Sequence, residues 1–294
     1  MSARSSPTTS TTRLQRRSAD SIRRAAVITH GKPPTIGPAL ERLEKVAREA
    51  GVELLLPDEE VEKHGVGEPE HDLTNADIAV VLGGDGTMLR ALQRWLGTDV
   101  PVIGVNFGRV GFLASMRPDD MEDGLGRVFA GEYVVYELPT LDAEAGGATA
   151  TAVNDVVATS GTLGRMVELD WKIGGEDMGS VPCDGVICST PSGSTAYNLS
   201  NGGPVLMWEI DAYAITFVAP HSLHARPVVV PRKRDVEVTN VTRDVSLALI
   251  ADGHRFADIA PGGSVRIRLG EQASLLATLP EATFVRRYLE TFAS

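Results

Sequence analysis

Gly83-Gly84-Asp85-Gly86-Thr87 brings together residue types that can handle a phosphate and an alcohol at one place. Glycines let a backbone approach a ligand with no Cβ in the way. The first turn of a helix presents unpaired N–H groups at a partially positive end, where a phosphate is favoured. Asp85 is the odd member. A carboxylate beside bound phosphates is repelled unless it holds a metal ion or accepts a proton or hydrogen bond from a hydroxyl. An anion site with a carboxylate inside it points to phosphoryl transfer to an alcohol. Thr87 can cap the helix or donate its hydroxyl. The bland reading of the same five residues is a turn in which Asp85 caps the following helix.

A second group lies later in the chain. Ser189-Thr190-Pro191-Ser192-Gly193-Ser194-Thr195-Ala196-Tyr197-Asn198, continuing through Ser200 to Pro204, is dense in hydroxyls and carries no charge. Such a loop can bond sugar hydroxyls and base edges, and Tyr197 offers a flat face to a base. It can equally be a Ser/Thr-rich hairpin. Upstream, Asp184-Gly185 repeats the acid-then-glycine pattern, and Asn154-Asp155 sets an amide and a carboxylate beside a strand, where Asn is depleted. His221, His224 and His254 read as structural or solvated, with His254, beside Asp252-Gly253, the one placed near polar candidates.

These groups need elements to position them. Ile78 to Leu82 is a continuous apolar run, a buried strand, and Met88, Leu89, Leu92 and Leu96 follow at helical spacing. A strand, a glycine turn and a helix therefore carry Asp85, at the strand end where open α/β sheets bind ligands. Around it, Ala25 to His30, Val52 to Leu56 and Pro101 to Asn106 read as strands. Pro38 to Ala50 reads as a helix with Leu40, Leu43, Val46 and Ala47 on one face, and Pro118 to Gly131 as another. Pro57 to Ala76 shows no periodicity, and Glu59, Glu60 and Glu62 read as a solvated face. Beyond Tyr133 the period changes to short β-rich runs: 153–158, 167–173, 186–189, 214–218, 228–230, 236–239, 245–250 and 265–269. Pro280 to Ser294 returns to a helix with Phe284, Val285, Tyr288, Leu289 and Phe292 inward. The predicted fold is a doubly wound α/β domain at 25–135, a β-sandwich-like domain at 136–278 and a C-terminal helix at 279–294 that packs back on the first domain. Residues 1–24, rich in Ser, Thr and Arg with Asp20 the one acid, read as a disordered extension of a cytoplasmic protein; an organelle transit peptide has the same composition, but nothing amphipathic stands out here.

With 294 residues, 43% of them hydrophobic, there is material for two cores. A net charge of −11 argues against nucleic acid as the main partner. No apolar run approaches a membrane span and the start lacks the apolar core of a secretory signal, so the expectation is a cytoplasmic protein without a membrane partner. Cys183 and Cys188 are too few for a zinc site and read as reduced thiols.

In their order along the chain, GGDGT at 83–87, NFGRVGFL at 106–113, Asn154-Asp155, CDGVICSTPSGSTAY at 183–197, GGP at 202–204 and PHSLHARP at 220–227 resemble the NAD kinases, over roughly residues 25 to 290. GGDGT alone is shared with lipid-kinase and phosphofructokinase relatives. The resemblance implies transfer of the γ-phosphoryl of ATP, or of polyphosphate in some members, to the 2′-hydroxyl of the adenosine ribose of NAD. Asp85 then sits at the acceptor ribose, taking the hydroxyl proton or helping to place Mg²⁺ or another divalent cation, with no other protein ligand to the metal. Gly83, Gly84, Gly86 and Thr87 would hold phosphates. Asn154 and Asp155 match an Asn-Glu pair at the NAD adenosine, with Asp155 one methylene shorter than the usual Glu. Ser192, Thr195, Ala196 and Tyr197 match the loop around adenine and ribose. Asp184 matches an acid that reaches NAD across a subunit interface, and Phe112 lies in a segment near the dinucleotide. Ser200, Asp252 and His254 complete the implied binding set. A homodimer or homotetramer follows from the family. Two other readings stand beside this one: a lipid kinase of the same superfamily, which would have an apolar entrance in place of the hydroxyl-rich loop, and a non-catalytic NAD or NADPH sensor, for which Asp155 is the best support.

Overall fold

The computed structural model describes residues 22–292, apart from 32, 66, 71, 109, 110, 115 and 223. The extension expected at 1–24 falls, up to residue 21, outside the described residues, as do Arg109 and Val110 of the NFGRVGFL segment.

The first layer is a parallel sheet. Strands β1 (Arg24–Thr29), β2 (Glu53–Leu55), β3 (Ile78–Gly83) and β4 (Val102–Asn106) alternate with helices α1 (Pro33–Ala50), α2 (Asp58–His64), α3 (Asp85–Arg94) and α4 (Met121–Phe129). Their order in the sheet is β2-β1-β3-β4, all parallel. The apolar runs are continuous because both faces are covered. In β3, Ile78, Val80 and Leu82 face a core completed by Leu40, Leu43 and Leu125, while Ala79 and Val81 face one completed by Met88, Leu92 and Trp95. This is the doubly wound α/β arrangement read from the sequence.

One expectation over 57–76 is overturned. The segment folds into α2, and Glu60 is buried rather than solvated. Its carboxylate accepts from Thr29 N–H (3.0 Å) and from Lys63 Nζ (2.7 Å), while His64 Nε2 lies 2.8 Å from Thr29 Oγ1. A seven-residue helix is too short to show a period, and a buried Glu is legible only once its partners are in place.

The rest is antiparallel and β-rich. β5 (Val134–Ala145), β6 (Ala148–Ala152), β7 (Asp155–Ser160), β8 (Val167–Ile173), β9 (Glu176–Cys183) and β10 (Gly185–Ser189) come first. A single-turn helix α5 (Tyr197–Ser200), then β11 (Ala212–Val218), β12 (Val228–Pro231), β13 (Val236–Asn240), β14 (Leu247–Ala251), β15 (His254–Ile259), β16 (Ser264–Thr278) and the helix α6 (Phe284–Phe292) follow. One six-stranded sheet runs β12-β11-β10-β7-β14-β15. The other continues the parallel sheet through β16, β13, β8 and β9, with β5 and β6 paired alongside β16. The inner faces of the two sheets share one core, with Leu169, Val186, Tyr213, Leu249 and Ile267 inside it. Cys183 and Cys188 are buried there, and burial pushes both thiols up to about 12, so they stay protonated. Among the described residues no helix is long and apolar enough to cross a membrane.

Four strands, β5, β6, β9 and β15, are absent from the sequence reading. β5 carries Pro139 in its middle, opposite Ala273 where the register with β16 shifts, so the missing N–H falls at an irregularity and not in a regular ladder. The expected boundary at 135 lies inside β5.

The C-terminal helix does pack back on the first layer, but with a different face. Phe284 is buried, its ring 5.2 Å from Phe112 and 5.4 Å from Trp208. Val285, Tyr288, Leu289 and Phe292, all expected inward, are exposed, and the second buried position belongs to Arg287. The helix lies across a loop rim, where backbone carbonyls attract a cation more than they attract another apolar side chain.

Candidate active site

Asp85 is the first residue of α3, and the cap residue is Gly84, in extended geometry with no side-chain cap hydrogen bond. Neither capping role expected here is seen: Thr87 is buried, and the Asp85 carboxylate turns away from its own helix. Its Oδ2 accepts from Phe112 N–H (2.6 Å) and its Oδ1 from Leu113 N–H (3.0 Å) and Ala114 N–H (3.4 Å). An ionised carboxylate has about four lone-pair sites. Three amides therefore leave one, on Oδ2. Gly111 makes this approach possible, since a Cβ there would lie 2.9 Å from Asp85 Oδ1 and 2.7 Å from Asn106 Nδ2. Thr87 and Met88 N–H return to Gly84 O at 2.9 and 3.0 Å, so the amides of Asp85 and Gly86 are the first-turn donors outside the helix's own bonding. Around Gly86 the space where a Cβ would stand is open, whereas at Gly83 a Cβ would meet Thr87 Oγ1 at 2.7 Å.

The antiparallel sheet brings the second group to the same place. Asp155 opens β7, paired with Ser189 at the end of β10, and the next residue, Val156, pairs with Ala251 at the end of β14. The hydroxyl-rich loop and the Asp252 turn therefore flank Asn154 and Asp155. The loop is bonded to the 153–154 backbone: Thr190 Oγ1 and Ser192 Oγ donate to Val153 O at 2.6 and 2.8 Å, and Thr190 N–H to Asn154 O at 2.9 Å. A Cβ on Gly193 would stand 2.1 Å from Asn154 O, so no other residue fits there. Most of these hydroxyls hold the loop in shape; Ser189, Thr190, Ser192 and Ser194 are all buried. Asp252 does the same from the other side. Its carboxylate accepts from the N–H groups of Val153 (2.7 Å), Asn154 (2.7 Å) and Asp155 (3.0 Å) and from Gln93 Nε2 of α3 (2.7 Å). Asp252 adopts φ 46°, a left-handed conformation that Asp tolerates better than most residues.

Two adjoining cavities result. One, of about 260 Å³, is lined by Asp85, Gly86, Leu89, Phe112, Asn154, Ser192, Thr195 and Ala196, with Thr291 and Phe292 of α6 closing one side. The other, of about 470 Å³, shares Leu89, Asn154 and Ala196 with it and adds Asp155, Tyr197 and Asp252. Asn154 lines both cavities, and its Oδ1 is buried with no hydrogen-bond partner among the described residues. Of the residues singled out from sequence, Gly83, Gly84, Thr87, Asp184, Ser200 and His254 line neither cavity. Asp184 is exposed at the β9–β10 junction, and His254 Nδ1 lies 3.1 Å from Asp252 O. Gln93, Arg287 and Phe292 were not read from sequence as site residues. Gln93 and Arg287 sit on amphipathic helices where a polar residue ordinarily means a solvated position, so composition held no signal for them.

Burial, and then the charge of Asp252, push the Asp155 carboxyl up to about 7. A carboxyl whose folded value lies above its unfolded one contributes stability that is fully present below about pH 4 and is lost as pH rises through 7. Asp155→Asn removes that titration. Relative to wild type, the variant is expected to gain on the order of 2 kcal/mol between pH 5 and pH 8, read from urea unfolding at the two pH values. Parallel pH profiles for the two proteins would place Asp155 in an ordinary solvated state.

Comparisons with known proteins converge on one family. Residues 22–133 match the model of the ATP-NAD kinase N-terminal domain and residues 153–279 that of the ATP-NAD kinase C-terminal domain. An NAD kinase of Heliobacterium modesticaldum is 37% identical over 73% of this chain and 77% of its own length. Among solved structures, an Archaeoglobus fulgidus NAD kinase in complex with ATP superposes with a TM-score of 0.72 at 27% identity, covering 92% of this chain and 97% of that one. A yeast NADH kinase complexed with NADH shares the fold, with a TM-score of 0.82 at 21% identity over 93% and 88% of the two chains. Because these matches take in the Asp85 turn, the Asn154–Asp155 strand and the hydroxyl-rich loop at 189–204, this chain belongs to the NAD kinase family.

Proposed function

We propose that the protein phosphorylates NAD: the γ-phosphoryl group of ATP passes to the 2′-hydroxyl of the adenosine ribose, giving NADP and ADP. The observation that carries this reading is the Asp85 carboxylate, fixed by three amides with one lone pair left on Oδ2, in a cavity it shares with Asn154 and the hydroxyl-rich loop. Asp85 Oδ2 accepts the proton of the 2′-hydroxyl late, as the hydroxyl oxygen bonds to phosphorus and the bond to ADP breaks; the proton then leaves to solvent. Thr195, Ala196 and Tyr197 form the wall against which adenine and ribose rest, and the first-turn amides of α3 face the phosphates.

Among the described residues no group of three or more His, Cys, Asp or Glu is placed to hold a metal ion. That suits Mg²⁺, which is commonly bound through one or two carboxylates, waters and substrate phosphates rather than by an all-protein cage. With the last lone pair of Asp85 given to the ribose hydroxyl, the ion would be held by the substrate phosphates and water, beside the Asp85 charge, and would neutralise charge on the transferring phosphates. The proposal includes a cytoplasmic homodimer or homotetramer. The exposed position of Asp184, away from both cavities, supports its serving the site of a neighbouring subunit.

Incubation of the purified protein with NAD, ATP and Mg²⁺ is expected to yield NADP, with polyphosphate and NADH run in parallel to define donor and acceptor. NAD binding without any NADP formed from either donor would replace the kinase reading with that of a dinucleotide sensor.

A further inference from the structure

We infer that Arg287 of the C-terminal helix is a positioning residue for Asp85, acting through two peptide groups clamped between its guanidinium and the Asp85 carboxylate. Arg287 Nη1 donates to the carbonyls of Phe112 (2.7 Å) and Leu113 (2.9 Å). The N–H groups of the same two peptide units, those of Leu113 and Ala114, donate to Asp85 Oδ1 on the other side. Each peptide unit thus has its negative end on a cation and its positive end on an anion. Hydrogen bonds chained in this way polarise one another, and the chain is worth more than its links taken singly. This inference rests on the catalytic reading of Asp85 given above.

The surroundings of Arg287 argue that the charge is there for this purpose. The residue is 6% exposed, and its guanidinium hydrogen bonds go to backbone carbonyls. Burial lowers its guanidinium to about 10, which keeps it charged at neutral pH; the charge of Asp85 is foremost among those opposing the shift. Its Nε donates to Ala282 O at 3.2 Å, its carbon lies 5.0 Å from the Trp208 ring, and Nη2 has no partner among the described residues. Phe112, Phe284 and Trp208 make an aromatic bed here, into which a Met would pack at less desolvation cost. A helix that only needed to be glued down would not require a cation at this position. What the cation adds is a fixed height for the 112–114 backbone, and with it a fixed position for the carboxylate.

The test uses the full chain with Arg287→Met, Arg287→Lys and, as a control on the exposed face of the same helix, Arg286→Met. It has two readouts: steady-state kinetics with NAD and ATP, and hydrogen exchange at the amides of Phe112, Leu113 and Ala114. Arg287→Met is expected to lower kcat by roughly 10- to 100-fold, the range for a displacement of about 1 Å at the reacting group, with KM for NAD changed less than about threefold. Protection at the three amides is expected to fall. Arg287→Lys restores part of both, because an ammonium can reach a carbonyl but has no planar fork to span two. Arg286→Met matches wild type. A folded Arg287→Met with wild-type kcat, or with unchanged protection at 112–114, overturns the inference. If the Met variant does not fold, the Lys variant decides alone: a kcat loss of about threefold or more at unchanged KM supports the clamp, and wild-type kcat with wild-type protection refutes it. If the wild type makes no NADP, the catalytic reading falls, while the exchange measurement still judges the clamp.

Discussion

Asp85→Asn is expected to lower turnover by roughly 10² to 10⁴ in an NADP-forming assay, the usual size of a general-base contribution. The exchange is nearly isosteric, so volume is not the issue. An Asn oxygen in the Oδ1 position can still accept from Leu113 and Ala114 N–H, but its amide nitrogen then faces Phe112 N–H, donor against donor, where Oδ2 now accepts at 2.6 Å. The substitution removes the one remaining acceptor site for the ribose hydroxyl and adds a repulsion beside it. In the proposed reading NAD is held mostly by Asn154, Asp155 and the 195–197 wall, so KM for NAD is expected to move far less than kcat. A variant that keeps near-wild-type turnover removes Asp85 from the proton-accepting role, whatever its effect on binding.

Asp252→Ala carries the second large effect, this time on stability. Four donors converge on that carboxylate, three of them consecutive backbone N–H groups and the fourth Gln93 on α3. Removing the acceptor leaves the Val153 and Asp155 N–H groups buried and unpaired, at about 1–3 kcal/mol each, while the partly exposed Asn154 N–H and Gln93 can turn to water. Relief of the repulsion between Asp252 and Asp155 offsets part of this. The net expectation is a loss of about 3 kcal/mol in urea unfolding, a large share of a typical 5–15 kcal/mol, with a rise in KM for NAD as the 153–155 backbone loosens. Unchanged stability would show that the 153–155 turn is held by the packed loop at Gly193 and does not need the carboxylate.

The Asp85 turn was legible because its signal is local: an apolar strand, a glycine turn and a helical period lie within twenty residues, and that succession alone places a carboxylate at the end of a buried strand. Asn154 was legible as an anomaly, an amide where strands avoid amides. Gln93 and Arg287 were invisible for the opposite reason, since their partners are 159 and about 175 residues away along the chain and nothing nearby in sequence marks them. The resemblance implies Asp252 as a binding residue, and it does line the second cavity; that its carboxylate also accepts from Gln93 and from three consecutive backbone N–H groups is something only the fold reveals. The exposed face of α6 failed on the usual assumption that apolar residues at helical spacing point inward, which a buried arginine at the rim reverses.

β16 joins the parallel and antiparallel parts of the larger sheet. Its first residues pair with β13, and Leu276 near its end stands beside Val102 of β4 in the parallel sheet. The later residues of β4 are covered from nearby, since Met116 N–H donates to Gly104 O and Asn106 N–H to Met116 O, but the start of the strand at Val102 waits for a partner about 170 residues further along. A late strand thus covers the start of an early one, and a nascent chain that has not yet reached β16 carries a short unpaired stretch at Val102.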